Sequence, residues 1–385
     1  MNGHKVVLEG KNAYLSVNER IVLEGGRSNL SIEQNELLGA CKTSENSIDV
    51  LGFIADKFQR ISLLTDNPDT LVSQIQHLAF PGLSKNVEKK HFLVFLNPTS
   101  GRGLALQRWK AVSGMFDGCW VTLHQTQYRG HAHDIVKDAD LSEIDGLISV
   151  SGDGLVHEII NGLCKNPKFV KTPIGVIPAG SGNALAQYLL NSSPLNIQKC
   201  ASICIKGNRS PLDINEISFA DGSVIYSFLS ISWGYIAEVD IESDYFRCCG
   251  IIRYYLYGVW KFIRLRRYFG EFKSDEFEYN GPFSYFYVCN LPFVGENMKV
   301  APLAQASDGV CDFLIMGNVS RVKLLKVLLK QDSGQHLSCE GLEYFQSKGF
   351  SLSPNGGYFA IDGDFYPAQR ISVRVLDSQI NIFTA

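Results

Sequence analysis

A chain of 385 residues, 45% hydrophobic and 19% charged, can bury more than one sizeable core, so two or three domains are expected. A formal charge of −3 argues against a nucleic-acid binder, and no uncharged apolar run approaches membrane-spanning length, since 254–263 is cut by Lys261 and flanked by Arg253, Arg264, Arg266 and Arg267. Ten cysteines without a C-x-x-C pair point to reduced thiols, and a start with no apolar signal core and Asn2 where myristoylation needs glycine adds to the expectation of a soluble cytoplasmic protein.

Residues 1–88 hold β-like segments at 5–8, 13–17, 20–23, 48–54 and 59–64. A helix follows over 69–78, with Leu71, Ile75 and Leu78 on one face and Asp66-Asn67-Pro68-Asp69 as its start signal. Strands closed by one helix suggest a small β-rich module of pleckstrin-homology-like plan. It shows no clear basic cluster, so a packing or docking role is favoured over phosphoinositide binding. Residues 81–90, polar and containing Pro, Gly and Ser, read as a linker.

Over 89–210 strands alternate with helices, the pattern of a parallel sheet covered on both faces. At its centre the apolar run Leu147, Ile148, Val150 stops at Ser151-Gly152-Asp153-Gly154, and Leu155, Val156, Ile159, Ile160 and Leu163 follow at helical spacing. The device recurs twice. Strand 92–96 leads into Asn97-Pro98-Thr99-Ser100-Gly101-Arg102-Gly103, and strand 174–177 into Pro178-Ala179-Gly180-Ser181-Gly182-Asn183. Three glycine turns between strand and helix put backbone donors at the carboxyl edge of one sheet, where a bulky anion can be cradled. Asp153 inside such a cradle repels phosphate, so it is expected to hold a metal ion or to take a proton from an attacking hydroxyl.

Over 211–385 the pattern becomes short strands, at 214–219, 224–232, 283–290, 310–316, 350–352, 358–361, 371–375 and 380–383, as in an antiparallel sandwich. Helical insertions are expected around 243–269 and 319–330. The expected class is therefore α/β plus all-β: a Rossmann-like parallel-sheet domain, then an antiparallel β-sandwich, with the site in the cleft between them. Segment 319–330 alternates Val319, Val322, Leu325 and Leu329 with Arg321, Lys323, Lys326 and Lys330. This amphipathic basic helix is either core packing with a wet outer face or a lid over an acyl chain that also meets anionic lipid.

Together SGDGLVHEIINGL, PAGSGNALA and NPTSGRG resemble the lipid kinases of the diacylglycerol-kinase catalytic class. The block FLSISWGYIAEVDIESDYFR, followed by Arg253, resembles sphingosine kinases within that class. The match runs from Phe92 to the C-terminus. The resemblance implies an ATP- and Mg²⁺-dependent enzyme that phosphorylates sphingosine and related sphingoid bases, working in the cytoplasm with peripheral membrane contact. It implies Asp153 as general base, with Ser151, Gly152 and Gly154 near the lipid head and Asp240 as the acid that binds that head. On the ATP side it implies Asn97, Pro98 and Thr99; Thr126, Gln127, Tyr128, Arg129 and Gly130; Glu158; Gly180, Ser181 and Gly182; Arg247 and Arg253; and Asp362, Gly363 and Asp364. The family commonly carries Glu where this chain has Asp364, and often a lysine in the first loop where this chain shows only Arg102. No metal ligand is assigned.

The residues themselves support phosphoryl transfer, which needs positioning and positive charge more than covalent chemistry. Neither a G-x-x-x-x-G-K-[ST] loop nor an H-R-D or D-F-G set is present, which argues against P-loop enzymes and protein kinases. Rivals are a ceramide or diacylglycerol kinase, a catalytically silent lipid-binding module, and a nicotinamide-dinucleotide kinase, whose nucleoside suits the long aromatic block less well than a lipid tail does. His131, His133 and His157 form no metal set and read as helix-face or turn packing; Cys248-Cys249 reads as buried thiol.

Overall fold

The structure, a computed structural model, describes residues 3–25, 29–81, 89–191, 194–243, 245–246 and 252–385, with the side chains of 252–255 outside the description. The first body is one antiparallel sheet of β1 (His4–Leu8), β2 (Lys11–Val17), β3 (Arg20–Glu24), β4 (Leu30–Glu33), β5 (Leu37–Ser44), β6 (Ser47–Ile54) and β7 (Lys57–Leu64), in the order β4-β3-β2-β1-β7-β6-β5. Helix α1 (Pro68–Ala79) closes it, burying Leu71, Ile75 and Ala79. Strands β4 and β5 went unread. In β5 the stretch Leu37 to Cys41 is buried throughout, so no period-2 alternation survives to betray a strand.

This module is bolted to the next layer. Gln76 Nε2 donates to Ala40 O and Gly118 O, both at 2.9 Å, and Arg60 reaches Gly114 O at 3.0 Å and pairs with Asp117. Lys206 Nζ donates back to Gln34 O and Leu37 O at 2.7 and 2.9 Å. Most of the expected linker, 82–88, lies outside the described residues.

The second layer is β8 (His91–Leu96), α2 (Ser100–Val112), β9 (Trp120–Gln125), α3 (His131–Asp138), β10 (Gly146–Ser151), α4 (Asp153–Lys165), β11 (Ile174–Pro178), α5 (Ala184–Leu190) and α6 (Ile197–Lys206). Strands β11, β10, β8 and β9 are adjacent and parallel, with Leu147 opposite both Leu93 and Ile174. The three glycine loops therefore leave the same edge, as their sequence pattern predicts.

The remainder comprises β12 (Asn208–Phe219), β13 (Val224–Ser227), β14 (Ser230–Trp233), α7 (Tyr235–Glu242), α8 (Ile252–Ile263), β15 (Tyr268–Ser274), β16 (Glu278–Phe283), β17 (Tyr285–Cys289), β18 (Cys311–Met316), α9 (Arg321–Lys330), β19 (Glu343–Ser347), β20 (Gly349–Asn355), β21 (Tyr358–Ile361), β22 (Asp364–Pro367) and β23 (Ile371–Thr384). The six-stranded sheet β19-β18-β17-β14-β21-β22 faces a second sheet containing β16, β15, β20, β23, β12 and β13. Strand β17 shows why the layering hides from the sequence. Phe286 and Val288 enter the core between the sheets, while Tyr285, Tyr287 and Cys289 enter a further apolar layer with Leu314, Met316, Leu324 and Val327 beneath α7, α8 and α9.

Two strands belong to both halves. Residues 380–384 of β23 pair with 208–212 of β12, and Ile382 pairs with Ile174 of the parallel sheet, whereas 371–376 pair with 214–219 and with β20. The expected break between 375 and 380 is a bend in one continuous strand, with Ser378 at φ 51°. The boundary drawn between 210 and 211 falls inside β12. Where a helical insertion is expected around 243–269, the described residues carry two helices, α7 (Tyr235–Glu242) starting earlier and α8 (Ile252–Ile263) ending earlier.

Candidate active site

Asp153 opens α4 directly after β10, and its carboxylate is 8% exposed. Its Oδ2 accepts from Ala184 N at 2.7 Å and its Oδ1 from Leu185 N at 3.2 Å, the first two amides of α5. The acid thus caps a neighbouring helix and keeps a lone pair on each oxygen. Burial pushes its pKa up to about 6, with the two amides pulling the other way and the charge of Asp362 adding to the rise.

The loops around it hold one another by backbone. Ala179 N donates to Ser151 O at 2.8 Å, Asp153 N to Gly182 O at 3.2 Å, and Asn97 N to Val150 O at 3.4 Å. Ser151 Oγ donates to Ser100 Oγ at 3.0 Å, and Ser100 Oγ to Ala179 O at 3.3 Å. Gly152 and Gly180 are glycine because they touch each other: a Cβ on Gly152 would lie 2.5 Å from Gly182 O, and one on Gly180 2.4 Å from Gly152 Cα. At those positions the missing side chain makes room for protein backbone, whereas Gly154 has open space where its Cβ would be. Asn97 Oδ1 accepts from Thr99 N and Thr99 Oγ1 at 3.1 and 2.9 Å, which shapes the first loop.

Thr126 N donates to Leu96 O at 2.9 Å, so the 126–130 loop flanks the same edge. Glu158, one residue past His157 on α4, accepts from Ala132 N at 3.3 Å and anchors the start of α3. Burial raises the Glu158 pKa. Arg129 crosses to the sandwich and pairs with Asp364 at 2.6 Å.

Asp362 and Gly363 form the β21–β22 hairpin turn, both at positive φ, 51° and 83°, between the paired Ile361 and Asp364. Asp362 is wholly consumed inside the protein. Its oxygens accept from Ser227 Oγ, the amides of Phe228, Leu229 and Ser230, and His157 Nδ1. Of the Asp-Gly-acid turn, Asp364 is the member whose carboxylate stays partly exposed.

On α7, Glu238 and Glu242 are committed: Lys261 of α8 lies 3.2 Å from the first and 2.8 Å from the second, and Tyr268, Tyr257 and Tyr358 donate to them. Burial opposes ionisation of Glu242, but the bonds from Lys261, Tyr257 and Tyr358 hold its pKa below the ordinary value. Asp240 sits between these two acids on α7, and its charge, after burial, helps push the Tyr287 phenol well above its usual range. Asp240 is thus near the apolar layer beneath α7. Arg247 lies outside the described residues; Arg253 lies on α8 with its side chain outside the description.

Helix α9 bears on the two readings of 319–330. Leu324 and Val327 face inward, and of the expected apolar face Val319 is half-buried while Val322, Leu325 and Leu329 are exposed, Leu329 at 76%, which speaks against core packing for that face. On α8, Leu256, Val259, Trp260 and Ile263 are exposed too, and Arg321 Nη1 donates to Ile263 O at 3.2 Å, joining the two helices.

Residues 91–217 match the diacylglycerol kinase catalytic domain, and 229–384 match the YegS C-terminal NAD kinase beta sandwich-like domain. Human sphingosine kinase 1 is 30% identical over 337 residues, which cover 74% of this chain and 88% of the human protein. The chain belongs to the sphingosine kinase family. Arabidopsis sphingosine kinases 2 and 1 are 32% and 31% identical across 69% and 72% of this chain, which spans 65% and 66% of their lengths. The crystal structure of a putative diacylglycerol kinase from Bacillus anthracis shares the fold, with TM-score 0.62 at 17% identity, covering 78% of this chain and 99% of that one.

Family membership does not by itself mark every residue the site depends on. Ser100, Asn161, Lys261 and Asn183, whose side chain brackets Gly180 from both sides, carry no role in the sequence reading, and His157 reads there only as helix-face or turn packing. His157 and Asn161 follow Asp153 at steps of four, and that helical stripe was the available signal.

Proposed function

We propose that the protein is an ATP- and Mg²⁺-dependent kinase that phosphorylates the primary hydroxyl of sphingosine and related sphingoid bases, giving sphingosine 1-phosphate. The observation that carries this reading is Asp153: a buried carboxylate at the carboxyl edge of a parallel sheet, ringed by three loops and raised to about 6, so that it is ionised yet basic near neutral pH. It takes the proton of the lipid hydroxyl as that oxygen bonds to the γ-phosphorus and the bond from that phosphorus to the β,γ-bridging oxygen breaks, with ADP leaving and Ser151, Gly152 and Gly154 beside the head.

ATP lies along Asn97, Pro98 and Thr99, the 126–130 loop and Gly180 to Gly182, over residues 89–210. Glu158 acts by anchoring the 126–132 segment. Arg247 and Arg253 are assigned to the phosphates on the family resemblance. Mg²⁺ takes oxygen ligands, usually one or two carboxylates together with phosphate oxygens. Asp153 and the partly exposed Asp364 are oxygen donors of that kind, and Asp364 would hold it. When bound, the ion neutralises charge on the transferring phosphates.

For the lipid, the layer of Tyr285, Tyr287, Leu314, Met316, Leu324 and Val327 supplies the apolar wall, within residues 211–385. Asp240, in the block that resembles sphingosine kinases and on α7 beside that layer, supplies the carboxylate for the protonated amine. A sphingoid base has that cation; ceramide and diacylglycerol do not. Peripheral membrane contact is assigned to the exposed apolar side chains of α8 and α9, rimmed by Arg264, Arg321, Lys326 and Lys330. No helix among the described residues is long and apolar enough to cross a membrane.

The test is ATP consumption with sphingosine, ceramide and diacylglycerol, for the parent and for Asp240→Asn. Sphingosine alone should be turned over, and Asp240→Asn should weaken its use about tenfold, the loss of one charge-assisted hydrogen bond, with ATP binding intact. Equal use of ceramide or diacylglycerol would leave only a lipid kinase.

A further inference from the structure

We propose that His157 is a positioning residue for phosphoryl transfer: its Nδ1 bond to Asp362 fixes the segment leading to Asp240 against the helix that begins with Asp153. This rests on the sphingoid-base kinase reading and names a residue beyond it.

The bond is 2.8 Å long, and the two side chains are 6% and 0% exposed. Asp362 already accepts from four other donors: Ser227 Oγ at 2.7 Å, Phe228 N at 3.1 Å, Leu229 N at 3.0 Å and Ser230 N at 2.9 Å. In that company it is an acceptor, so Nδ1 of His157 is the donor and carries a proton. At the other side of the ring, Nε2 lies 3.3 Å from the Tyr366 hydroxyl on β22. Asn161, one turn further along α4, adds a second tie: its Nδ2 donates to Tyr226 O at 2.8 Å and to His157 O at 2.9 Å, and its Oδ1 accepts from Tyr226 N at 2.9 Å.

Asp153, His157 and Asn161 therefore form one stripe on α4, with proton acceptor first and two anchors after it. The anchored segment, 227–230, runs straight into β14, then Gly234, then α7 with Asp240. Asp362 gathers three consecutive amides of that segment onto one carboxylate, and His157 ties that carboxylate to α4. One short path thus links the residue that takes the hydroxyl proton to the residue that holds the amine. Amine and hydroxyl are separated by a fixed distance in the lipid, so the spacing of the two protein acids governs attack geometry.

Loosening the tie leaves each subsite intact but lets their spacing wander, and misplacement of about 1 Å can cost on the order of 100-fold in rate. The loss belongs in kcat, not in either KM. His157→Leu fills the space and removes the donor; His157→Asn restores a donor at the Nδ1 position; His157→Gln keeps a buried amide but places its donor near Nε2 instead. Steady-state kinetics with sphingosine and ATP should show kcat reduced at least about tenfold in His157→Leu and His157→Gln, KM values within about twofold, and most of kcat recovered in His157→Asn. If His157→Leu fails to fold by circular dichroism, the contrast between His157→Gln and His157→Asn decides. Parental kcat in His157→Gln, or equal losses in His157→Gln and His157→Asn, would overturn the inference while leaving the kinase reading standing. A parent inert towards sphingosine would overturn that reading first.

Discussion

The two halves joined by His157 and Asp362 are made of different material. On the parallel-sheet side, loops 97–103, 151–154 and 178–183 are fixed to one another by main-chain bonds and by glycine packed on glycine. On the sandwich side, α7, α8 and α9 are held by side chains: Lys261 between Glu238 and Glu242, three tyrosines donating to those acids, and Arg321 capping α8. A backbone-built site is stiff and indifferent to side-chain identity. A site built by side chains can be retuned, and its helices can shift when those pairs exchange partners.

The contrast is broken most severely at the residue the two sides share. Asp153→Asn removes the proton acceptor and should lower kcat by about 10²–10⁴ while ATP still binds. The substitution is less innocent than its shape suggests, because the new amide must point at the N–H of Ala184 or Leu185 and weaken that cap by about 1 kcal/mol. A melt beside the kinetics separates the two losses; near-parental turnover would remove Asp153 from the chemistry. The same carboxyl sets a pH signature. With its pKa at about 6, activity should fall as pH drops below that value, because protonation blocks acceptance of the hydroxyl proton. Its stability contribution runs the opposite way: raised from 3.8 to about 6 by folding, it stabilises fully below 3.8 and loses that contribution as pH rises through about 6. Asp153→Asn should flatten stability over that window. An unchanged slope would assign it to Asp312, which burial also raises to about 6.

A smaller effect probes the stiff side alone. Gly180→Ala puts a Cβ 2.4 Å from Gly152 Cα, with backbone on both sides and nothing that can rotate away. It should cost about 1–3 kcal/mol of stability and raise KM for ATP more than that for lipid. An equal rise in both would mean the loops serve the whole cleft.

The smallest effect on the fold, confined to the other side, comes from Val259→Ser, Leu325→Ser and Leu329→Ser together. All three are exposed, so stability should move by less than about 0.5 kcal/mol each, while sedimentation with anionic vesicles should fall. Undiminished vesicle binding would leave this face without a membrane role.

Much of this was legible before any coordinates. Strand, glycine turn and helix at Asn97, Gly152 and Gly180 announced themselves because a parallel strand buried on both faces reads as an unbroken apolar run ending at a turn residue. The aromatic block around Asp240 marked the lipid side, but its helix boundaries were misplaced: α7 alternates acids and apolar residues two apart, which is strand-like, and becomes helical because Glu238 and Glu242 find Lys261 a turn apart. The two readings of the α9 face stay open in the sequence for a related reason. Val322, Leu325 and Leu329 form as regular an apolar stripe as Leu324 and Val327 do, so periodicity could not say which stripe meets the sheet.

By itself, the sequence determined the parallel sheet, its three loops, the sandwich that follows and the identity of Asp153, since each rests on local periodicity and turn chemistry within a few residues. Only the tertiary structure decided what Asp362 and His157 do, that β12 and β23 belong to both halves, and that Gly152 is glycine because of Gly180. Those facts depend on residues 28 to 205 positions apart meeting through hydrogen bonds and close backbone packing, and no pattern along the chain records the distance between them.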